Sequence, residues 1–267
     1  MPFIKIYDDI FSWSQNGWLE KFAKLYKKNV NLPYFCLGHP KYLSAPTVKL
    51  LKNSGCEFIQ IGIQSMDEQV RKDSCERYET NEEILTMLQT LDKYKLKYEL
   101  DHIFGLPGDT EQSYAYAAQV YKNGSSLLKI NTNILSYIPK TSIIDKSIKA
   151  KQIKKSDVQA IDEGKEGCRV GPGSERDTEK LHLYQSYLVL YKMIRLIPKS
   201  LFHFMLHTKI YRHLRHFDPA IGYIARYLSR DTIDTVYMNQ ELHLISWVIK
   251  KKFMYKINKP LKKFAYV

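Results

Sequence analysis

The first half of the chain alternates short apolar runs with longer amphipathic segments, and this alternation constrains the fold more than any other feature. Apolar runs that recur about every 25 to 35 residues are typical of repeated βαβ units, which form a parallel sheet covered by helices. The sequence therefore predicts an α/β fold. The predicted strands are residues 3–7, 33–37, 57–63, 98–104 and 128–136.

Helix starts between these strands can be read from capping residues. Ser44, followed by alanine and proline, predicts an N-cap with proline in the first turn. Thr80 and Glu83 fit a capping box, in which each side chain bonds the other's backbone N–H, and Asp109 with Gln112 fits a second.

Composition excludes several classes of protein. A chain of 267 residues that is 44% hydrophobic and 13% aromatic can bury a core, so a disordered chain is excluded. No apolar stretch approaches the ~18 residues needed to cross a bilayer, and the N-terminus lacks the layout of a signal peptide, which predicts a cytoplasmic protein without a membrane span. Four scattered cysteines do not form a disulfide scaffold, and we expect reduced thiols.

Charge is unevenly distributed along the chain. The net charge is +13; residues 1–135 hold 16 Lys+Arg and 16 Asp+Glu, whereas residues 136–267 hold 25 and 12. A solvated lysine-rich surface explains this excess most simply, although the asymmetry also indicates two functional parts.

The predicted organisation is a core at residues 1–142, a polar Gly/Lys-rich connection with little regular structure at 143–177, and a basic helical region at 178–267. Within that last region, helical patterns cover residues 178–196, 201–217, 220–228 and 233–252.

Polar residues follow the predicted strands, where a parallel sheet gathers its functional groups. Gln64 and Ser65 leave the third strand, and Asp101 lies in the next strand. Arg77 lies before a predicted helix and offers a planar fork that suits a carboxylate. Together these four side chains could hold both charges of a zwitterion.

A structural explanation of the same residues remains open. Ser65 could cap the helix that begins near Asp67, and Arg77 could pair with Glu76 or Glu79 on the surface. Neither contact would require a ligand.

The segment "GCEFIQIGIQS" with "YELDHIFGLPGDT" further along closely resembles the middle of a radical S-adenosylmethionine (radical SAM) core. The resemblance is greatest to the branch that includes cobalamin-binding members and oxygen-independent coproporphyrinogen oxidases. It extends upstream through "IYDDIF", similar to the end of that family's second strand, and downstream to about residue 140. It implies a partial (βα)6 TIM-like barrel, lacking its first βα unit, with S-adenosylmethionine across the strand ends and a helical C-terminal extension.

The resemblance also implies roles for individual residues. Gln64 and Arg77 would meet the methionyl or ribose part of S-adenosylmethionine, Asp101 the ribose, and the backbone at 103–106 the adenine. Two aspartates at the end of the first strand here would bind the amino group. The sequence departs from some relatives at residues 37–40, which read Leu-Gly-His-Pro where a glutamate stands in those relatives. The predicted cofactor-binding residues are Asp8, Asp9, Gln64, Ser65, Arg77, Asp101, Ile103, Gly105 and Leu106.

One element of that family is missing from the sequence. Radical SAM enzymes hold a 4Fe-4S cluster on a CxxxCxxC motif, because closely spaced thiolates suit the soft metal. Here Cys36, Cys56, Cys75 and Cys168 are far apart, and each is interpreted as an ordinary small residue. No catalytic or metal-binding residue is therefore predicted.

We expect this chain to be N-terminally truncated, from a shortened or split reading frame whose upstream half would be a partner. The first recognisable strand resembles the family's second, and a sheet lacking its first unit would expose an edge. Any cobalamin-binding domain would lie in the missing part. The complete protein would reductively cleave S-adenosylmethionine and abstract a substrate hydrogen, whereas this chain would not.

The alternative is a noncatalytic binding module, possibly for RNA, built on a remnant barrel. Basic and aromatic residues alternate in the C-terminal region, although at helical spacing the aromatics are better explained as an apolar face. His203 and His207 have the spacing of helical zinc ligands but lack the intervening glutamate of a hydrolytic site. The aromatic residues concerned are Phe202, Phe204, Tyr211, Phe217, Tyr223, Tyr227, Trp247 and Phe253.

Overall fold

The computed structural model describes residues 3–14, 16–164, 171 and 177–217, with side chains as far as residue 213. Within these residues, five parallel strands form one sheet in chain order, so each strand pairs with its neighbour in the sequence. The predicted α/β fold is confirmed. The strands are β1 (Ile4–Ile6), β2 (Tyr34–Gly38), β3 (Cys56–Gln64), β4 (Lys97–Phe104) and β5 (Leu127–Ile134).

Helices connect the strands and continue beyond them. Between β1 and β5 the connections carry α1 to α5, which makes the parallel pairing possible. In the described part of the chain the helices are α1 (Trp18–Asn29), α2 (Ala45–Ser54), α3 (Glu68–Cys75), α4 (Asn81–Lys93), α5 (Glu111–Lys122), α6 (Ser142–Lys149), α7 (Lys155–Asp162), α8 (Thr178–Met193) and α9 (Lys199–Thr208), with 3-10 helices at Pro40–Tyr42 and Ile210–Phe217.

The two faces of the sheet differ in chemistry. Side chains alternate between the faces of a strand, and on β3 Ile59, Ile61 and Ile63 join the helix-covered core. Gln60 and Gln64, at the alternate positions, are only partly buried. We call this second surface the polar face.

The predicted capping boxes have different outcomes. Thr80 and Glu83 form theirs at the start of α4, as predicted. The box proposed for Asp109 and Gln112 is wrong, because α5 begins one residue later and is capped by Thr110 with Ser113. The Asp109 carboxylate instead accepts hydrogen bonds from side chains of two segments.

Residues 143–177 contain more regular structure than the polar composition predicted. Helices α6 and α7 lie in this range and build a small second core with Tyr137, which packs with Ile144, Ile153 and Ile161. The prediction of a connection with little regular structure is wrong for these helices. The spacing of the isoleucines, which fits one face of a helix, indicated these helices in the sequence. The high lysine content instead favoured a polar connection.

The C-terminal region contributes to the main core. Tyr184, Tyr187 and Tyr191 of α8 are buried in the cluster that contains Phe104 of β4. Residues 178–217 therefore pack on the sheet and do not form a separate appendage. The helix predicted at 201–217 ends at Thr208 and is followed by a 3-10 helix. The helices predicted at 220–228 and 233–252 lie outside the described residues.

None of the helices in the described ranges combines the length and apolar character that a membrane crossing requires.

Candidate ligand site at the carboxyl edge of the sheet

The end of β3 brings an amide and a guanidinium together over a glycine. Gln64 has a φ of 69°, which turns the chain out of the sheet. A Cβ on Gly62 would lie 2.6 Å from Gln64 Nε2 and 3.2 Å from Arg77 Nη2, so both groups cover this glycine. Arg77 Nη1 also donates to the Gly62 carbonyl over 2.5 Å. Only a glycine leaves room for this arrangement.

Asp101 lies beside this group on the neighbouring strand, in register with Gly62. Its Oδ1 accepts hydrogen bonds from Gln60 Nε2 over 2.8 Å and from Asn131 Nδ2 over 3.0 Å. Burial raises the pKa of the Asp101 carboxyl, while the two amides and the charge of Arg77 oppose that rise. The Arg77 cation and the Asp101 carboxyl group thus lie on the polar face, near the carboxyl edge of the sheet.

The polar network continues along β4 and β5. Asn131 Nδ2 also donates to Glu99 Oε2 over 3.1 Å, and Lys129 Nζ lies 3.4 Å from Glu99 Oε1. Sequence reasoning missed Gln60, Glu99, Lys129 and Asn131. Their signal was polar residues at alternate positions of strands whose other positions are mostly apolar.

Ser65 is fully buried and joins two loops. Its hydroxyl donates to Asp109 Oδ1 over 2.9 Å and accepts from the Asp67 N–H over 3.2 Å. The cap of α3 is Asp67 itself, which accepts from two backbone N–H groups. Ser113 donates to the same Asp109 oxygen, and burial raises the pKa of Asp109 to about 7. The structure thus places Ser65 as a support between the loops after β3 and β4.

The two acidic residues that the sequence suggested as partners of Arg77 form contacts with other residues. Glu76 forms an ion pair with Lys146 at 2.9 Å, and Glu79 Oε1 lies 3.1 Å from His39 Nε2. Arg77 is partly buried and turned toward β3.

The loop after β4 is fixed by its backbone. Gly105 has a φ of 86°, and its N–H donates to the Tyr114 hydroxyl over 3.1 Å. Leu106 is buried, and its carbonyl accepts from the Asp109 N–H over 3.0 Å. Ile103 is partly buried opposite Asn133 of β5. A planar ligand at this edge would meet a backbone held by these two hydrogen bonds.

Asp8 and Asp9 lie apart from this group. Both are exposed in a turn after β1, which is separated from β3 by β2. Asp8 Oδ1 accepts from the Ile10 N–H over 3.3 Å. They follow β1, which is two strands away from β3 and three from β4, the strand of Asp101.

The cysteines do not fit an iron–sulfur cluster within the described residues. Cys36 and Cys56 are buried with their Sγ atoms 3.8 Å apart, and Cys75 lies at the end of α3. Burial raises the pKa of the Cys36 and Cys75 thiols, which disfavours the thiolate that binds metal. The described ranges contain no group of three His, Cys, Asp or Glu side chains able to hold a metal ion. Cys168 lies outside them.

The C-terminal aromatics are divided between core and surface. Phe202 and Tyr211 are fully buried in the main core, which agrees with an apolar face, whereas Phe204 is 57% exposed. The remaining aromatics considered for RNA binding lie outside the residues whose side chains are described.

Comparison with known family models found a match over part of the chain. The family model described as "Radical SAM superfamily" matches residues 16–119, which include α1, β3 and β4. A search among curated proteins found no match.

Several solved structures resemble this chain at low sequence identity. The cobalamin-dependent S-adenosylmethionine radical enzyme OxsB aligns with 91% of this chain and 42% of its own, at 12% identity and a TM-score of 0.51. TsrM, a radical S-adenosylmethionine methyltransferase from Kitasatospora setae, aligns with 52% of this chain and 29% of its own, at 15% identity and a TM-score of 0.46. Coproporphyrinogen III oxidase (HemN) from Escherichia coli aligns with 57% and 35%, at 16% identity and a TM-score of 0.43. This chain therefore spans less than half the length of each of these structures.

Proposed function

We propose that this chain is a radical SAM protein, since residues 16–119 match that family model, and that it binds S-adenosylmethionine at the carboxyl edge of its sheet. The single observation that carries this proposal is the pairing of Gly62 with Asp101. Asp101 thus lies on the strand next to Gly62, the glycine that the Arg77 guanidinium covers, and the charge of Arg77 acts on its carboxylate.

Each group suits one part of the proposed ligand. The planar fork of Arg77 matches a carboxylate, such as that of the methionyl group, and the Gln64 amide can bond the same end. Asp101, acceptor-only when ionised, suits ribose hydroxyls. The backbone of Gly105 and Leu106, with Ile103 beside it, would flank the adenine. Asp8 and Asp9 remain proposed for the amino group; because this group shares one carbon atom with the carboxylate, the turn that carries them would have to approach Arg77 across β2.

We assign to this chain the binding of S-adenosylmethionine and not its cleavage. A 4Fe-4S cluster, when bound, supplies the electron for reductive cleavage in radical SAM enzymes. The sequence has no CxxxCxxC motif, and the described side chains do not fit a cluster.

Isothermal titration calorimetry with S-adenosylmethionine and S-adenosylhomocysteine tests this proposal. We expect saturable binding of both ligands. Arg77→Gln and Asp101→Asn should each weaken it about tenfold or more, since each removes a charge-assisted contact. Lys72→Gln and Asp145→Asn change exposed charges on α3 and α6 and serve as matched controls.

A folded chain, verified by its circular dichroism, that takes up neither ligand would overturn the proposed function. Equal effects of the site variants and the controls would overturn the proposed site.

A further inference from the structure

Residues 76–80 connect α3 to α4 and carry Arg77. Besides the ion pair of Glu76 with Lys146, this segment, here called the arginine segment, is attached to the rest of the molecule by two buried side chains that the proposed ligand would not touch. The Arg71 side chain on α3 donates a hydrogen bond to the backbone of this segment. The Glu79 side chain, within the segment, contacts His39 at the end of β2.

Arg71 is fully buried and bridges two loops. Nη1 donates to the Ser65 carbonyl over 2.7 Å, at the exit of β3. Nη2 donates to the Glu79 carbonyl over 2.8 Å and to Asn81 Oδ1 over 2.7 Å. One planar group thereby sets the spacing between the segment that follows Gln64 and the arginine segment.

Burying this guanidinium is unfavourable in itself. Desolvation lowers the pKa of Arg71, and its Nε is buried without a hydrogen-bond partner. The groups that receive its hydrogens are two backbone carbonyls and an amide oxygen, so they neutralise the charge only in part. Three short hydrogen bonds in one fixed geometry offset that cost.

Glu79 attaches the other side of the arginine segment. Its side chain is 7% exposed, and Oε1 lies 3.1 Å from Nε2 of His39, the residue that follows β2. Nδ1 of His39 accepts from the Lys41 N–H over 3.4 Å, which leaves Nε2 to carry the hydrogen and donate it to Glu79. The carboxyl end of β2 is thus bound to the arginine segment.

The backbone of Arg77 is fixed by the same arrangement. Its N–H donates to the Arg71 carbonyl over 3.1 Å, and Glu76, at φ 55°, ends α3 in the left-handed conformation. The side chain of Arg77 therefore starts from a defined position beside Gly62. A group held in place before binding loses less conformational entropy when the ligand arrives.

We propose that Arg71 and Glu79 are positioning residues that hold Arg77 for the α-carboxylate of the ligand. This inference rests on the proposed function. It assigns a role to a buried arginine and to a His–Glu pair that do not themselves reach the ligand.

A pair of nucleosides separates this role from a general effect on the fold. S-adenosylhomocysteine carries the α-amino acid, whereas 5'-methylthioadenosine shares the adenosine and the sulfur but has no carboxylate. Loss of positioning should weaken only the first ligand. A loss of structure should weaken both.

Glu79→Met is the main variant, because it keeps the length of the side chain and removes the acceptor for His39. Glu79→Gln is the conservative variant, since its amide oxygen can still accept from Nε2. Glu82→Gln, on the exposed side of α4, is the control for loss of a nearby carboxylate. Arg71→Lys adds an independent variant, because an ammonium cannot span acceptors on both loops.

We expect Glu79→Met and Arg71→Lys to weaken S-adenosylhomocysteine binding about tenfold and to leave 5'-methylthioadenosine binding unchanged. Glu79→Gln and Glu82→Gln should bind both ligands as the parent chain does. If Arg71→Lys does not fold, the two Glu79 variants decide the question alone.

Two results would overturn the inference while the proposed function stands: equal weakening of both ligands by Glu79→Met, or no weakening of either. A parent chain that binds neither nucleoside would instead remove the proposed function, and the inference with it.

Discussion

Gln60 Nε2 lies 2.8 Å from Asp101 Oδ1 and 3.0 Å from Oδ2, so a single amide group on β3 contacts both oxygens of a carboxylate on β4. Asn131 donates to Oδ1 from β5 on the other side. The carboxylate is therefore held between three strands. Its orientation at the edge of the sheet is set by hydrogen bonds that originate in the sheet itself.

Replacing Gln60 should change the pH dependence of ligand binding. Burial raises the pKa of Asp101 and the Gln60 amide opposes that rise, so Gln60→Met should raise the pKa further. Binding that requires the ionised carboxylate is lost as the pH falls through this pKa. The loss should therefore begin at a higher pH in Gln60→Met, as measured by calorimetric titration of S-adenosylhomocysteine at several pH values. Gln119→Met on the exposed face of α5 is the control. An equal shift in both variants of the pH at which binding is lost would contradict the prediction.

Alanine at two glycines should separate ligand binding from stability. A Cβ at Gly62 would meet the far ends of the Gln64 and Arg77 side chains, which can move, so Gly62→Ala should change the free energy of unfolding by about 1 kcal/mol or less. It should nevertheless weaken S-adenosylhomocysteine binding. A Cβ at Gly38 would lie 2.5 Å from Ile59 Cδ1 in the core, and Gly38→Ala should cost about 1–3 kcal/mol of stability. Urea unfolding and calorimetry on both variants check this contrast, which fails if Gly62→Ala destabilises the chain as much as Gly38→Ala does.

Asp109 should make the chain less stable as the pH rises toward neutral. Its pKa is raised from 3.8 to about 7 by burial, so between these values the folded state binds a proton that the unfolded state has released. The stability that this proton contributes is fully present below pH 3.8 and is lost as the pH rises through about 7. The loss in the free energy of unfolding is roughly 4 kcal/mol at most. Asp109→Asn should remove this dependence, because an amide does not titrate. Urea unfolding of both proteins across this pH range measures it, and parallel stability profiles would argue against a buried, protonated Asp109.

Reconstitution with iron and sulfide should not yield a stable 4Fe-4S cluster on this chain. The sequence has no CxxxCxxC motif, and the described thiols are buried or dispersed. Anaerobic reconstitution followed by absorbance and electron paramagnetic resonance spectroscopy measures the outcome. A well-formed cluster that is lost in Cys75→Ala or Cys168→Ala would refute this prediction.

The sequence by itself determined the order and type of the elements around the site. The apolar alternation in residues 3–136 predicted five parallel strands, because hydrophobic period reflects which residues must be buried. Gln64 could be selected because parallel strands present their carboxyl ends at one edge, whereas Arg77 was selected as a planar cation before a helix and Asp101 as an acid in the neighbouring strand. The capping box of Thr80 and Glu83 was readable for a similar reason, since its geometry spans only four residues.

Only the tertiary structure decided which of these side chains meet. The register of β3 against β4 places Gly62 beside Asp101, and a register shift near Gln64 turns its amide over the glycine. Buried Arg71 fixes the segment that carries Arg77 through carbonyl acceptors, which have no signature in the sequence. Such contacts cross from one strand or loop to another, and their geometry depends on packing that no local pattern encodes.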